Sequence, residues 1–332
     1  MDFGDFIGQQ NVKDNLQLLV EATLKGREFP HIGLYGPAGS GKTTLAEIIC
    51  DALDAKLIYV NGSAVTSPVV FRSPIVRAVK ESGKNKRYVI VVDECHALPK
   101  KIQDNLLSVL EKPAILCTTV EKRLPLPNGR FLEKGQILKE KLPPNVTFIF
   151  ATTDKAKLTD AMESRLHPLN LDEYTIDEKE KVTRKKFAKN NTTLEDNDYE
   201  LVAGTAKNMR HLIKVCDRLI DYSVGQSKVV LDHKDVMKVL NILGIDEFGC
   251  DTLDRKYMDY VKIRGPISLA NIARFINVDD AEVKEKIEPF LIRNDWIEIT
   301  GRGRILTNLA YRQLYGHIMK DEIEEIMEMF DD

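Results

Sequence analysis

Cysteine is scarce and unpaired in this sequence. Its five cysteines, Cys50, Cys95, Cys117, Cys216 and Cys250, are scattered without a CxxC pair. That spacing argues for reduced thiols, most simply small core residues of a cytoplasmic protein, and against a zinc site. Long hydrophobic runs are missing too: none approaches the roughly 20 apolar residues of a membrane-spanning helix. The start, Met1-Asp2-Phe3-Gly4-Asp5, has no basic segment followed by a hydrophobic one, so no signal peptide is expected. Nor is there an excess of either charge. With 48 basic and 51 acidic residues the formal balance is −3, so any contact with nucleic acid must come from local basic patches. What is present is core-forming material: 43% hydrophobic content over 332 residues exceeds one ordinary core and implies two or three domains.

The strongest local signal is Gly36-Pro37-Ala38-Gly39-Ser40-Gly41-Lys42-Thr43. An apolar run, His31-Ile32-Gly33-Leu34-Tyr35, reads as a buried strand before it, and Thr44-Leu45-Ala46-Glu47-Ile48-Ile49-Cys50 continues with helical spacing. Strand, glycine loop and helix are the context a phosphate-binding loop needs. Its backbone N–H groups and the helix N-terminus face a polyphosphate, Lys42 reaches the β and γ phosphates, and Thr43 holds Mg²⁺.

Residues 7–170 alternate strand-like and helical patterns, the mark of a parallel α/β sheet with crossover helices. The expected strands cover residues 32–35, 57–60, 88–92, 146–151 and 168–171. Residues 172–243 change to charged helical segments, a second, all-helical domain. From Asp251 onward, short helical stretches lead to Trp296-Ile297-Glu298-Ile299-Thr300 and Arg304-Ile305-Leu306-Thr307, which flank Gly301-Arg302-Gly303. This reads as a β-hairpin after helices, a winged helix-turn-helix. The expected boundaries are 1–172, 173–246 and 247–332. The acidic segment 321–328 reads as a solvated amphipathic helix or tail.

Hydrolysis needs a second element that aligns metal and water. Tyr88-Val89-Ile90-Val91-Val92-Asp93-Glu94 is a buried strand ending in two carboxylates, which places Asp93 near Mg²⁺ and leaves Glu94 to polarise the attacking water. A further strand ends in Ala151-Thr152-Thr153, where a polar residue can bond the γ phosphate or that water. Downstream lie Ser164-Arg165 and a helical run that begins at Arg210.

This ordered set resembles the AAA+ ATPase superfamily, and within it the RuvB family of Holliday-junction branch-migration motors. The resemblance is carried by Asp5-Phe6-Ile7-Gly8-Gln9, the phosphate loop, Asp93-Glu94-Cys95-His96, Leu142-Pro143-Pro144, Ala151-Thr152-Thr153 and Leu158-Thr159. It extends to Gly265-Pro266-Ile267-Ser268-Leu269, Ile287-Glu288-Pro289-Phe290-Leu291-Ile292 and Thr300-Gly301-Arg302-Gly303-Arg304 in the winged-helix region. The resemblance implies an AAA+ domain, a helical lid and a winged helix that translocate duplex DNA with ATP. It implies nucleotide contacts from Ile7, Gly36, Pro37, Gly39, Ser40, Gly41, Lys42, Thr43, Thr44, Tyr174 and Arg210, with Thr43 and Asp93 on Mg²⁺. Asp93 and Glu94 become the Walker B pair, Thr153 the first sensor and Arg210 the second. Arg165 becomes an arginine finger offered to a neighbouring subunit, hence a homo-oligomeric ring, a hexamer in this family. Arg302 and Arg304 are expected at the tip of the wing on DNA phosphates, because Asp279, Asp280 and Glu282 would repel phosphate from the second helix.

The sequence departs from the family between Glu111 and Leu142. Asn128-Gly129 signals a hairpin turn there, but the apolar tip that docks the junction-binding partner RuvA does not match, and Lys122, Arg123, Arg130 and Lys134 suit DNA or a different partner. Asp154 and Met162 replace family arginines. Two other readings stay open: a sliding-clamp-loader subunit, suggested by Ala151-Thr152-Thr153-Asp154 and Glu163-Ser164-Arg165, and a DNA-binding regulator whose nucleotide acts as a switch.

Overall fold

The computed structural model describes residues 2–82, 86–111, 115–120, 123–125, 131–143 and 145–316. The chain forms two compact units, Met1–Glu178 and Lys179–Asp332.

The first unit is built on five parallel strands: β1 (Ile32–Tyr35), β2 (Lys56–Asn61), β3 (Tyr88–Asp93), β4 (Val146–Thr152) and β5 (His167–Asn170), in the order β2-β3-β4-β1-β5. Each expected strand is present, with ends shifted by a residue or two. The near-continuous apolar character of β1, β3 and β4 follows from burial on both faces, whereas the edge strands β2 and β5 alternate. Alternate residues serve opposite cores: Ile58, Val60, Ile90, Val92, Phe148 and Phe150 pack on one side, while Ile32, Leu34, Val89, Val91, Ile149 and Ala151 pack on the other against helix Lys42–Ala52. Because β1 lies between β4 and β5 while β3 lies between β2 and β4, the carboxyl ends of β1, β3 and β4 stand side by side. That edge is where open parallel sheets bind ligands.

The segment between β3 and β4 carries a β-hairpin. Ile115–Thr119 pairs antiparallel with Ile137–Lys141, and further out Leu124–Pro125 pairs with Phe131–Leu132. The Asn128-Gly129 turn, Lys122 and Arg130 lie outside the described residues, as do Pro144 and the acidic segment 321–328. Arg123 is committed within the hairpin, stacked 4.0 Å over the Phe131 ring and 3.2 Å from Glu133. Lys134 is exposed.

In the second unit, most of helix Ile176–Lys189 and helices Asp196–Gly204, Met209–Gln226 and His233–Ile242 contribute to a core around Phe187, Leu212, Leu219 and Val236. Helices Thr252–Arg264 and Leu269–Ile276 follow, then helical chain over residues 280–293, strands β6 (Ile297–Thr300) and β7 (Gly303–Leu306), and helix Asn308–Tyr315. Tyr257, Ile272, Leu291 and Trp296 fill this second core. Helix 280–293 contains a wide π turn at Val283–Ile287, directly before Pro289. Proline lacks the N–H and crowds the carbonyl four residues back, and the wider turn accommodates both effects. Among the described residues no helix is long and apolar enough to cross a membrane.

One ion cluster joins the two parts of this unit. Lys207 Nζ lies 2.7 Å from Asp251 and 2.5 Å from Asp254, which is wholly buried, and the Lys207 carbonyl accepts from Arg293. Burial pushes the Asp254 carboxyl up to about 6 despite the opposing pull of Lys207. Lys207→Met would leave that carboxylate unpaired, so we expect a loss of about 3–5 kcal/mol at pH 8. Without the cation the folded-state pKa of Asp254 rises further above its unfolded value, so the penalty grows as pH rises through it. Urea denaturation should therefore find the gap to wild type narrower at pH 5 than at pH 8; an equal gap at both would show that Asp254 is not the cause.

Candidate nucleotide site and wing

The glycine loop leaves β1 and enters helix Lys42–Ala52 at the carboxyl edge of the sheet. Gly41 caps the helix at φ 95, and a Cβ there would stand 2.5 Å from the Phe6 ring and 3.0 Å from the Tyr174 hydroxyl. Both the left-handed backbone and the close approach therefore require glycine. Phe6 and Tyr174 thus back the loop. Gly8 meets Tyr174 in the same way, and the Gln9 amide clamps this segment by bonding the Asp172 carbonyl at 2.7 Å and accepting from its N–H at 3.1 Å. Ile7, half-buried, is carried into the same neighbourhood. Burial first, and then Glu178, push the Tyr174 phenol up to about 12.

Two observations show that this loop suits a polyphosphate. The N-terminus of helix Lys42–Ala52 has no side-chain cap and no acidic residue in its first turn, so its donors are open to an anion. The Ser40 hydroxyl is buried with no hydrogen-bond partner. Lys42 Nζ donates to the Gly36 and Pro37 carbonyls, each at 2.8 Å, which parks the ammonium inside the loop it would serve.

Asp93 closes β3 beside the loop. Its Oδ2 accepts from the Thr43 hydroxyl at 3.4 Å and the Tyr59 hydroxyl at 2.6 Å, and its Oδ1 from the Glu94 N–H at 2.9 Å. A hydroxyl and a carboxylate, both hard oxygen donors, therefore converge as a Mg²⁺ site requires. Glu94 adopts a left-handed conformation, φ 48 and ψ 44, uncommon for a residue with a side chain. Its Oε2 is buried without a hydrogen bond, 3.3 Å from His96 Nδ1. The same His96 nitrogen lies 2.8 Å from the Thr152 hydroxyl, which also bonds the backbone of Asp154. Thr152 is fully buried and engaged, while Thr153 is exposed at the strand end. Thr44, in the first turn of the helix, is half-buried.

The remaining expected residues are Arg165 and Arg210. Arg165 precedes β5 by two residues, at the end of the sheet opposite the loop. Its guanidinium bonds Glu111 Oε1 at 2.7 and 3.2 Å and the Ala161 carbonyl at 2.7 Å. Arg210, exposed in the first turn of its helix, belongs to the second unit.

The wing corrects one expectation. Gly301 and Arg302 form a two-residue turn with Arg302 exposed, whereas Arg304 points inward: its Nε bonds Glu288 at 2.8 Å, with its side chain 14% and that of Glu288 4% exposed. Glu288 also accepts from the Tyr257 hydroxyl at 2.9 Å. A buried carboxylate demands a cation, and Arg304 is taken from the tip to supply it. Gly303 also belongs to the strand rather than the turn. It runs so close to Ile267 that a Cβ would lie 2.5 Å from that carbonyl.

Tyr59, His96, Thr152 and Glu111 were not singled out by sequence. His96 stands within Asp93-Glu94-Cys95-His96, and Thr152 in the threonine pair; nothing local marks Tyr59 or Glu111, whose partners lie 34 and 54 residues away.

Residues 1–171 match the Holliday junction DNA helicase RuvB P-loop domain and residues 247–315 the RuvB C-terminal winged helix domain. The Holliday junction branch migration complex subunit RuvB of Ehrlichia ruminantium (strain Gardel) is 29% identical over 314 residues, 93% of this chain and 90% of the relative. Its counterpart in Campylobacter jejuni subsp. doylei is 29% identical over 329 residues, covering 98% and 93%. The Thermotoga maritima RuvB Holliday junction branch migration motor superposes with a TM-score of 0.74 at 27% identity, covering 95% of this chain and 97% of that one. With more than half of its length matched by the P-loop model and its carboxyl part by the winged-helix model, the chain belongs to the RuvB family.

Proposed function

We propose that this chain is an ATP-driven motor that moves duplex DNA and branch-migrates four-way junctions. The observation that carries the reading is the convergence of Thr43, Asp93 and Glu94 beside an uncapped phosphate loop, in a chain that also bears a winged helix. In this reading Lys42 swings from the Gly36 and Pro37 carbonyls onto the β and γ phosphates. Gly36, Pro37, Gly39, Ser40, Gly41 and Thr44 line the polyphosphate, and Ile7 and Tyr174 frame the nucleotide. Thr43 and Asp93 hold Mg²⁺, which neutralises charge on the phosphate oxygens. Glu94 orients the attacking water and takes its proton as the bond to the leaving phosphate breaks. Thr153 senses the γ phosphate, and Arg210 follows nucleotide state. Arg165 serves a neighbouring copy, which makes the working form a homo-oligomeric ring, hexameric as the family resemblance implies, in the cytoplasm. The working division is 1–172 for the ATPase, 173–246 for the lid and 247–332 for the winged helix. The hairpin at Ile115–Lys141 is the surface for any RuvA-like junction-binding partner. A clamp-loader role is disfavoured by the β6–β7 wing.

A labelled synthetic four-way junction tests this: ATP and Mg²⁺ should convert it to duplex products, and intact junctions after incubation would overturn the reading. Of the two wing arginines, Arg302 alone is assigned to DNA. Arg302→Ala should lower DNA affinity across sequences and reduce the slope of log K against log salt by about one. Arg304→Ala should instead lower the melting temperature, since it strands buried Glu288.

A further inference from the structure

We propose that Tyr59 is a positioning residue for the metal end of this site: its hydroxyl occupies Asp93 Oδ2 in the nucleotide-free protein and gives way when Mg²⁺ enters with nucleotide. The inference rests on the ATPase reading above. β2 is the edge strand of the sheet, and its alternation buries Ile58 and Val60 while leaving Leu57, Tyr59 and Asn61 exposed. Tyr59 is 49% exposed, so packing does not require an aromatic ring there. The register pairs Tyr59 with Val91 and Asn61 with Asp93. Tyr59 therefore shares a face with Asp93 but stands one diagonal step from it, about 8 Å from the strand spacing and the rise over two residues, a span that a long aromatic side chain bridges. The ring's reach places its hydroxyl on Oδ2.

The three contacts at Asp93 are unequal. The Tyr59 bond, at 2.6 Å, is the shortest, and the Thr43 contact to the same oxygen, at 3.4 Å, is the longest. A carboxylate oxygen has two lone-pair directions, and hydroxyls occupy both on Oδ2. Thr43 would turn to the metal. That departure would free one direction on Oδ2 while the Tyr59 hydroxyl keeps the other, drawing negative charge from the oxygen that would attract the cation. The phenol thus sets the Mg²⁺ concentration at which the site becomes competent, without touching the phosphates.

The experiment is a titration of MgCl₂ into full-length protein holding a fluorescent, non-hydrolysable ATP analogue, comparing wild type with Tyr59→Phe, which deletes only the hydroxyl. The Mg²⁺ midpoint should fall about five- to tenfold, the equivalent of one ordinary net hydrogen bond, while analogue affinity in EDTA stays unchanged. Leu57→Ala, on the same exposed face but off Asp93, should leave the midpoint where it is. An unchanged or raised midpoint in Tyr59→Phe, with the analogue still bound, would overturn this role alone. No analogue binding by wild type at any Mg²⁺ concentration would overturn the ATPase reading and this role together.

Discussion

Glu94→Gln should lower steady-state ATP turnover by about two to four orders of magnitude, the range lost with a positioned general base, while leaving nucleotide affinity within a few-fold of wild type. Glutamine keeps the length and shape of the side chain and can hold the left-handed backbone at residue 94 as glutamate does. It removes the capacity to take a proton. Binding should survive because the contacts assigned to the phosphates come from Lys42, the loop backbone and the helix N-terminus, none of which touches the Glu94 carboxylate among the contacts described. Single-turnover hydrolysis alongside equilibrium binding of a fluorescent nucleotide separates the two effects. Turnover at the wild-type rate would remove Glu94 from the chemistry and return the chain to the reading in which nucleotide is only a switch. A parallel loss of binding would mean instead that the carboxylate, with His96 3.3 Å away, holds the end of β3 in shape.

The parts of this protein legible in its sequence are those written by local rules. The three central strands, β1, β3 and β4, are buried apolar runs, and burial on both faces demands that composition where the chain crosses the middle of the sheet. The phosphate loop and the Asp93–Glu94 pair were legible because glycine and carboxylate chemistry leaves few alternatives at those spacings. The parts that were not legible depend on pairings across distance. Arg304 stands beside a hairpin turn, and nothing near it in sequence says that Glu288 is buried and requires it. The π turn before Pro289 follows from a clash that a helical pattern conceals. Tyr59 looks like an ordinary residue of an alternating strand until the register shows which carboxylate its hydroxyl can reach. Side-chain period fixes which face a residue occupies, whereas its partner depends on strand order, which the sequence does not print.

Arg165→Ala should reduce turnover in the assembled protein by about 10³–10⁵-fold, the contribution of an arginine finger to phosphoryl transfer, and the loss should be repaired by a neighbour. On the proposed reading Arg165 works between subunits, because the sheet holds it away from the loop of its own chain. His167 pairs with Ile32, so Arg165 sits before the point where β1 begins, and the loop lies after β1 ends. At least the length of that four-residue strand, about 13 Å, separates them, and the guanidinium is turned to Glu111 besides. Both partners of that ion pair are partly exposed, so it is weak and gives little resistance to withdrawal by a neighbour's phosphate. Mixing Arg165→Ala with Glu94→Gln subunits, each inactive alone, should restore turnover. In a head-to-tail ring at equal proportions, about one interface in four sets an intact Glu94 against an intact Arg165. Glu111→Ala distinguishes the alternative: if Arg165 serves only to pair with Glu111, removing either partner costs the same activity, whereas a finger survives the loss of Glu111. Mixtures no more active than their components would place Arg165 outside the shared site.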